Sequence, residues 1–247
     1  MPAIKKIFFI PDVHVPHHDA KAFRLCMKAL QAFRPDKVVV LGDFLDAGAV
    51  STFPKRPGST PPLNDEVQQS RGLLSRIVSV GGRVGCSEYV FCEGNHEDRL
   101  RRYMWQQAPA VNALTPTMEE ILSIEQWLYV PYGEFHIDGR LAIAHDFGKG
   151  GKYSAANTIN KLMMACVFGH YHNGNMFCKN TASGGLMMGM CCGWLGGAVD
   201  YGLVASKAAD WRQGFGTAVL STDGTPLLQF HPIYDHRCVM GGEVLSI

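Results

Sequence analysis

The run Val38-Val39-Val40-Leu41 limits this chain's fold more than any other stretch. It stops at Gly42-Asp43, and a second carboxylate, Asp46, follows three residues on. Successive apolar and mostly β-branched residues, bounded by a glycine, describe a short strand covered on both faces. Strands of that kind belong to α/β sheets, and a carboxylate at the exit lies on the carboxyl edge, where such sheets place their ligands. A lone Gly-Asp is more often the cap of the next turn. It gains weight here because the same arrangement recurs along the chain.

Residues 4–10 read as a first buried strand entering Pro11-Asp12-Val13-His14. Asp19 caps a helix that runs to Phe33 with Ala20, Phe23, Met27 and Leu30 on one face. Strand, helix and the Val38 strand make a βαβ unit, hence a parallel pair with a right-handed crossover. Residues 47–63 are rich in Gly, Pro, Ser and Thr and read as a loop. Asn64 or Asp65 then caps a second helix that ends near Val80. A strand over 88–92 leads into Glu93-Gly94-Asn95-His96-Glu97-Asp98-Arg99, and helical patterns cover 99–107 and 118–125. Short strands follow at 127–130, 134–137 and 141–144, the last stopping at His145. A helix over 153–163 precedes a strand at 165–168 that ends in Gly169-His170-Tyr171-His172, and Thr222-Asp223-Gly224-Thr225 marks a hairpin. With no repeat and no linker, residues 1–247 read as a single domain.

A chain of 247 residues that is 47% hydrophobic has enough apolar material for one substantial core. Its net charge of +1 provides no global field for holding nucleic acid and leaves only a local patch for that purpose. None of the eight cysteines forms a CxxC pair and Cys191-Cys192 are adjacent, so they read as reduced core residues of a cytoplasmic protein. No apolar run has the length of a signal-peptide core or a membrane span.

Five islands place a metal-ligating residue type after an apolar strand: Asp12-Val13-His14, Gly42-Asp43, Gly94-Asn95-His96, His145, and Gly169-His170-Tyr171-His172. Residues i and i+2 of an extended segment point the same way, so Asp12 with His14, and His170 with His172, can each aim two ligands at one spot. The glycines before Asp43, Asn95 and His170 permit tight turns and close backbone approach. In this order the islands resemble those of the calcineurin-like metallophosphoesterase superfamily, and Gly-Asn-His-Glu-x-Arg in a compact chain looks most like its phage- or prokaryote-type members.

The resemblance implies a four-layer α/β/β/α sandwich of two mixed β-sheets and a pair of divalent metal ions bridged by Asp43. One would be held also by Asp12, His14 and His172, the other by Asn95, His145 and His170. It implies hydrolysis of phosphodiesters, with phosphomonoesters as a further substrate class, by a metal-bridging hydroxide. His96 would be the leaving-group acid and Asp46 the carboxylate that orients it. Mixed N/O ligation without thiolate suits Mn, Fe, Zn, Ni or Co. Two carboxylates, four imidazoles and an amide offset two of the four charges of a divalent pair. With one hydroxide added, about +1 remains to face an anionic substrate.

Around that core, Arg99 lies one helical turn from Asn95 and within reach of a substrate phosphate, or else pairs with Glu97 or Asp98. Arg101 and Arg102 read as a solvated face. Lys55, Arg56 and Phe53 read as a surface loop, and His17 and His18 as turn polarity. Protein serine/threonine phosphatases carry Arg-Gly after the second Asp of their Gly-Asp-x-x-Asp motif. Ala47-Gly48 stands here instead, which argues against a phosphoprotein substrate. Asp146 replaces the expected Gly after His145, so His136 is the fallback ligand. The substrate is expected to be a small-molecule or nucleotide phosphate ester, or a nucleic acid. The competing readings are a nucleotide or protein phosphomonoesterase, a DNA or RNA exonuclease, and a metal-free protein-binding scaffold.

Overall fold

Both faces of the first strand are apolar because both are covered. In β1 (Lys5–Ile10), Phe8 and Ile10 point to one side and Ile7 and Phe9 to the other, and all four are fully buried. The computed structural model describes residues 4–53, 58, 60–182, 184–197 and 210–247. Phe8 and Ile10 pack with Val38, Val40 and Phe91 against α1 (Ala20–Phe33) and α2 (Leu63–Arg83). Ile7 and Phe9 join Val39, Leu41 and Val90 in a second cluster that meets Leu141, Ile143 and Val167. Each such side chain is worth about 1.5–3 kcal/mol when fully buried, so the strand is held from both sides.

β1 pairs in parallel with β2 (Lys37–Val40), which pairs in parallel with β3 (Glu88–Cys92). Beyond β3, in sequence order, come α3 (Asp98–Gln107), α4 (Met118–Leu122), β4 (Leu128–Val130), β5 (His136–Asp138), β6 (Leu141–Ile143), α5 (Ser154–Leu162) and β7 (Ala165–Phe168). The chain continues through β8 (Asn175–Asn180), β9 (Leu186–Cys191), β10 (Gly214–Leu220), β11 (Pro226–Pro232), β12 (Arg237–Met240) and β13 (Glu243–Ser246). The first sheet runs β11-β10-β1-β2-β3-β4 and the second β5-β6-β7-β9-β8, both mixed, and β12-β13 form a separate hairpin. The outer face of the second sheet, with Ala142, Ala144, Cys166 and Phe168, packs on Ile159 of α5. The order is therefore helices, sheet, sheet, helix, as the resemblance implied.

Asp19 caps α1 as expected, its carboxylate accepting from the backbone N–H of Lys21 and Ala22. α2 departs from expectation at both ends. Asn64 and Asp65 lie inside the first turn rather than capping it, and the helix continues through Gly81-Gly82 to Arg83. Asp65 and Glu66 there oppose the positive end of the helix dipole. Of the 47–63 loop, Gly48–Val50 forms a single 3₁₀ turn, and Lys55 and Arg56 lie outside the described residues. All eight cysteines are free, and all but Cys178 are buried. No helix among the described residues is long and apolar enough to cross a membrane.

Candidate metal centre

The loops that leave β1, β2, β3, β6 and β7 at their carboxyl ends meet at one place. Asp43 binds them together. Its carbonyl accepts from the N–H of Val13 (3.0 Å) and His14 (2.9 Å), and its carboxylate accepts from the N–H of His96 at 2.9 Å. The backbones of the β2 and β3 loops touch: a Cβ on Gly42 would lie 2.6 Å from Gly94 N, and one on Gly94 would lie 2.2 Å from Asp43 N. Only glycine allows that approach.

Three groups of potential ligands result, each with its donor atoms within 4.8 Å of one another: Asp12, His14, Asp43 and His172; Asp43, His145 and His170; and His14, Asp46 and His96. The first two share Asp43. Asn95 joins the second, its Oδ1 lying 3.0 Å from His145 Nε2. Asp12, His14, Asp43 and His145 are all at most 2% exposed.

The donor chemistry fits a cation. His145 Nδ1 lies 2.6 Å from the Leu41 carbonyl and so carries the proton, which leaves the Nε2 lone pair facing outward. That lone pair meets Asn95 Oδ1, His170 Nδ1 at 3.2 Å and Asp43 Oδ1 at 3.4 Å. One proton can serve one of these contacts but not all of them. On the other side, His14 Nδ1 faces Asp46 Oδ1 at 3.2 Å, and its Nε2 points at His172 Nε2 at 3.1 Å. The other ring nitrogen of His172 has no hydrogen-bond partner among the described residues. Lone pairs aimed at one another, with two buried carboxylates beside them, require positive charge between them.

Electrostatics point the same way. Burial works against a charge on His145, but the Asp43 carboxylate outweighs it and lifts its pKa to about 10, so in the absence of a cation a proton on Nε2 takes the place that a cation would fill. Burial also opposes ionisation of Asp43, yet the imidazoles of His145 and His96 hold its carboxyl well below the usual range. His14 falls to about 4, through burial first and the nearby His96 charge second.

The left-handed backbone at His14 (φ 54°), Asp43 (45°), His170 (67°) and His172 (58°) corrects the alternation argument. These residues converge because the loops coil, not because they are extended. His170 and His172 accordingly turn to different groups, His170 toward Asp43 and His145, His172 toward Asp12 and His14. Such conformations cost energy for non-glycine residues and gather at functional sites.

His96, of the third group, stands beside the two that share Asp43, its Nε2 3.7 Å from Asp43 Oδ2. Its Nδ1 donates to the Asp46 carbonyl at 2.9 Å and lies 3.2 Å from the Asp46 carboxylate. Arg99 donates to the same carbonyl at 2.9 Å and reaches His96 Nε2 at 2.7 Å. Burial opposes protonation of His96, but the charge of Asp43 and the Asp46 hydrogen bond raise its pKa above the ordinary histidine value.

Arg101 and Arg102 lie on the solvated face expected of them, and both also pair with Asp98. His17 Nε2 comes only to 3.9 Å from Asp46. The fallback His136 is remote from the site: it sits by Lys37 at the start of β2, the opposite end of the strand from Asp43. Asp146 accepts from the Tyr171 hydroxyl at 2.6 Å and from Gly148 N–H at 2.7 Å, so it braces the His170 turn.

Sequence reasoning missed Glu97. This fully buried carboxylate accepts four backbone N–H groups, from Asp43 (3.0 Å), Phe44 (2.7 Å), Leu45 (2.8 Å) and Gly94 (2.9 Å). Burial and the charge of Asp43 push its pKa up to about 7. The usable signal was a carboxylate directly behind His96, where a loop of free N–H groups needed an acceptor. Trp194 was missed as well. The His172 ring stacks on it at 5.0 Å, while Trp211 meets the same ring edge-on at 4.6 Å.

The chain is 24% identical over 262 residues to the gene 54 protein of Mycobacterium phage D29, with 98% of this chain and 99% of that protein covered. Among solved structures it is similar to Chaetomium thermophilum Vps29 (10% identity, TM-score 0.46, covering 92% of this chain and 96% of that one). It is also similar to the E. coli phosphoesterase Yfce (14% identity, TM-score 0.41, covering 91% and 98%). The sequence pattern of calcineurin-like phosphoesterases matches residues 5–174, which takes in every residue of the three ligand groups, and this chain belongs to that family.

Proposed function

We propose that this chain is a phosphodiesterase working through two divalent cations that share Asp43. Asp12, His14 and His172 would complete one position, and Asn95, His145 and His170 the other. The observation that carries this reading is the pair of ligand groups with a common carboxylate, set beside a buried histidine whose pKa is raised. When bound, such a pair supplies electrostatic stabilisation of the phosphoryl oxygens and a nucleophile at neutral pH.

The remaining work falls to the chain's own side chains. Asp46 accepts the Nδ1 proton of His96 and so directs its Nε2 outward. A proton at Nε2 then goes to the departing alkoxide, a contribution of about 10²–10⁴ in rate. Arg99 now donates to that same Nε2. It has to swing away before His96 carries a proton there, and a substrate phosphoryl oxygen is the acceptor that would draw it off. Substrate arrival and arming of the acid are thereby coupled.

The test compares bis(p-nitrophenyl) phosphate with p-nitrophenyl phosphate on protein loaded with Mn²⁺, Zn²⁺, Ni²⁺, Co²⁺ or Fe²⁺. The reading expects at least tenfold higher kcat/KM on the diester. Equal or better turnover of the monoester contradicts it.

A further inference from the structure

Hydrolysis of a small ester leaves the rim of the site unexplained. α3 departs directly from His96, and of its ten residues only Asp98 is buried. Its outer arc carries Arg99, Arg101 and Arg102 against Asp98 and, from the loop after β3, Glu93, which Arg101 Nη1 meets at 3.4 Å; Tyr103 is 44% and Trp105 55% exposed. The Arg101 guanidinium lies 5.5 Å over the Trp105 ring, and Arg102 donates to the Asn95 carbonyl at 3.1 Å. Arg102 thus sits on the loop of a proposed ligand, and Trp105 is about 4.5 Å further along the helix axis.

A second element repeats the combination. His145 is followed by Asp-Phe-Gly-Lys-Gly-Gly-Lys-Tyr, ending at Tyr153. Asp146 holds Tyr171, whose ring lies 4.7 Å from His170, and Asn173 donates to the Gly151 carbonyl at 2.9 Å, so this loop is fixed against the His170 turn. Lys149 and Lys152 are exposed, Tyr153 is 66% exposed, and Lys152 Nζ lies 5.8 Å over the Tyr153 ring. A helix and a loop that both leave the site therefore each present an exposed aromatic with a cation over it. In a chain with a net charge of +1, Arg99, Arg101, Arg102, Lys149 and Lys152 outnumber the acids beside them, Glu93, Asp98 and Asp146.

Cations that follow a phosphate backbone, interleaved with rings open for stacking, are what an unpaired nucleic-acid strand requires. A duplex hides its base faces, and a small ester needs no ring beyond the site. We infer that a single-stranded nucleic acid lies across the centre, stacking bases on Trp105 and Tyr153 and meeting Arg101, Arg102, Lys149 and Lys152 with its phosphates. This inference rests on the phosphodiesterase reading for what happens to the strand.

The test uses the metal-loaded full chain and a fluorescein-labelled phosphorothioate dT 20-mer, followed by anisotropy, with turnover of the ordinary dT 20-mer and of bis(p-nitrophenyl) phosphate measured alongside. Trp105→Ala and Tyr153→Ala are each expected to weaken strand binding about tenfold. Both should leave kcat/KM on bis(p-nitrophenyl) phosphate within twofold. Affinity should fall with salt at a log–log slope of about −0.7 per phosphate met, near −3 for four cations. Unchanged strand affinity in the double variant, equal loss on the small diester, or tighter binding of a duplex 20-mer would each overturn the inference. Strand binding that needs both rings, with neither substrate hydrolysed, upholds the track and refutes the phosphodiesterase reading. Turnover of the small diester without strand binding does the reverse.

Discussion

At the amino ends of the parallel strands, Lys37 Nζ contacts Asp138, Glu88 at 3.1 Å and His136 at 3.5 Å, while Lys5 Nζ reaches Glu88 at 3.0 Å and Asp138 at 3.2 Å. At the carboxyl ends of the same strands, Asp12, Asp43, Asn95 and four histidines point lone pairs at one another. Both clusters gather carboxylates and histidine from the two sheets, and the first adds two lysines. The first pairs every ammonium with a carboxylate and is complete. The second brings carboxylates, an amide oxygen and imidazole nitrogens together, and the cations proposed above would complete it. What separates the structural charge cluster from the candidate ligand site is whether lysine ammoniums already answer the carboxylates, as they do at the amino ends.

The sharpest way to break the contrast is Asp43→Asn, which removes the carboxylate that both proposed positions share. Turnover of a diester should drop more than about 10³-fold, and bound metal should be lost in elemental analysis. Next in size is His96→Ala. It should retain metal but lose about 10²–10⁴-fold in kcat on a diester with an unactivated leaving group, and much less where the leaving group needs no proton. Activity equal to wild type on the unactivated diester would remove His96 from the acid role.

Glu97→Gln sharpens the comparison by sparing every proposed ligand. Its amide would set N–H against one or more of four backbone N–H groups that now share a carboxylate. Metal affinity should weaken about 10–100-fold in an isothermal titration, as for other residues that brace ligands.

The opposite cluster gives the smaller effects. Lys37→Ala leaves Asp138 without its nearest cation. Glu88 is half exposed, so the cost should fall between that of surface and buried pairs, about 2 kcal/mol in a urea titration, with metal content unchanged. His136→Ala should change stability by no more than about 0.5 kcal/mol and metal content not at all. Loss of metal on that substitution would erase the distinction between the two ends.

Much of the fold was legible where one physical effect dominated. Glu88–Cys92 and Ala165–Phe168 are strands with the bounds expected, because each is a buried apolar run with a polar or glycine stop. α2 was misjudged at its glycines, since Ile77 and Val80 pack into the core on one side of it and carry the helix past Gly81-Gly82. In the site, the order of the islands marked which residues gather. Their individual orientations were not legible, because the left-handed turns at His14, His170 and His172 are imposed by contacts with distant loops. One such contact is the Asp12 carboxylate accepting from His170 N–H at 2.9 Å. Glu97 and Trp194 escaped for a related reason: each acts on partners from other loops, and no local pattern records that.

The central claim is that the carboxyl-end cluster holds two cations through one shared carboxylate. Titrating metal-free protein with Mn²⁺ by calorimetry, with elemental analysis of the product, tests it directly. The account predicts two ions per wild-type chain and fewer than one in Asp43→Asn. Two ions retained by Asp43→Asn, or none bound by the wild-type chain, would contradict it.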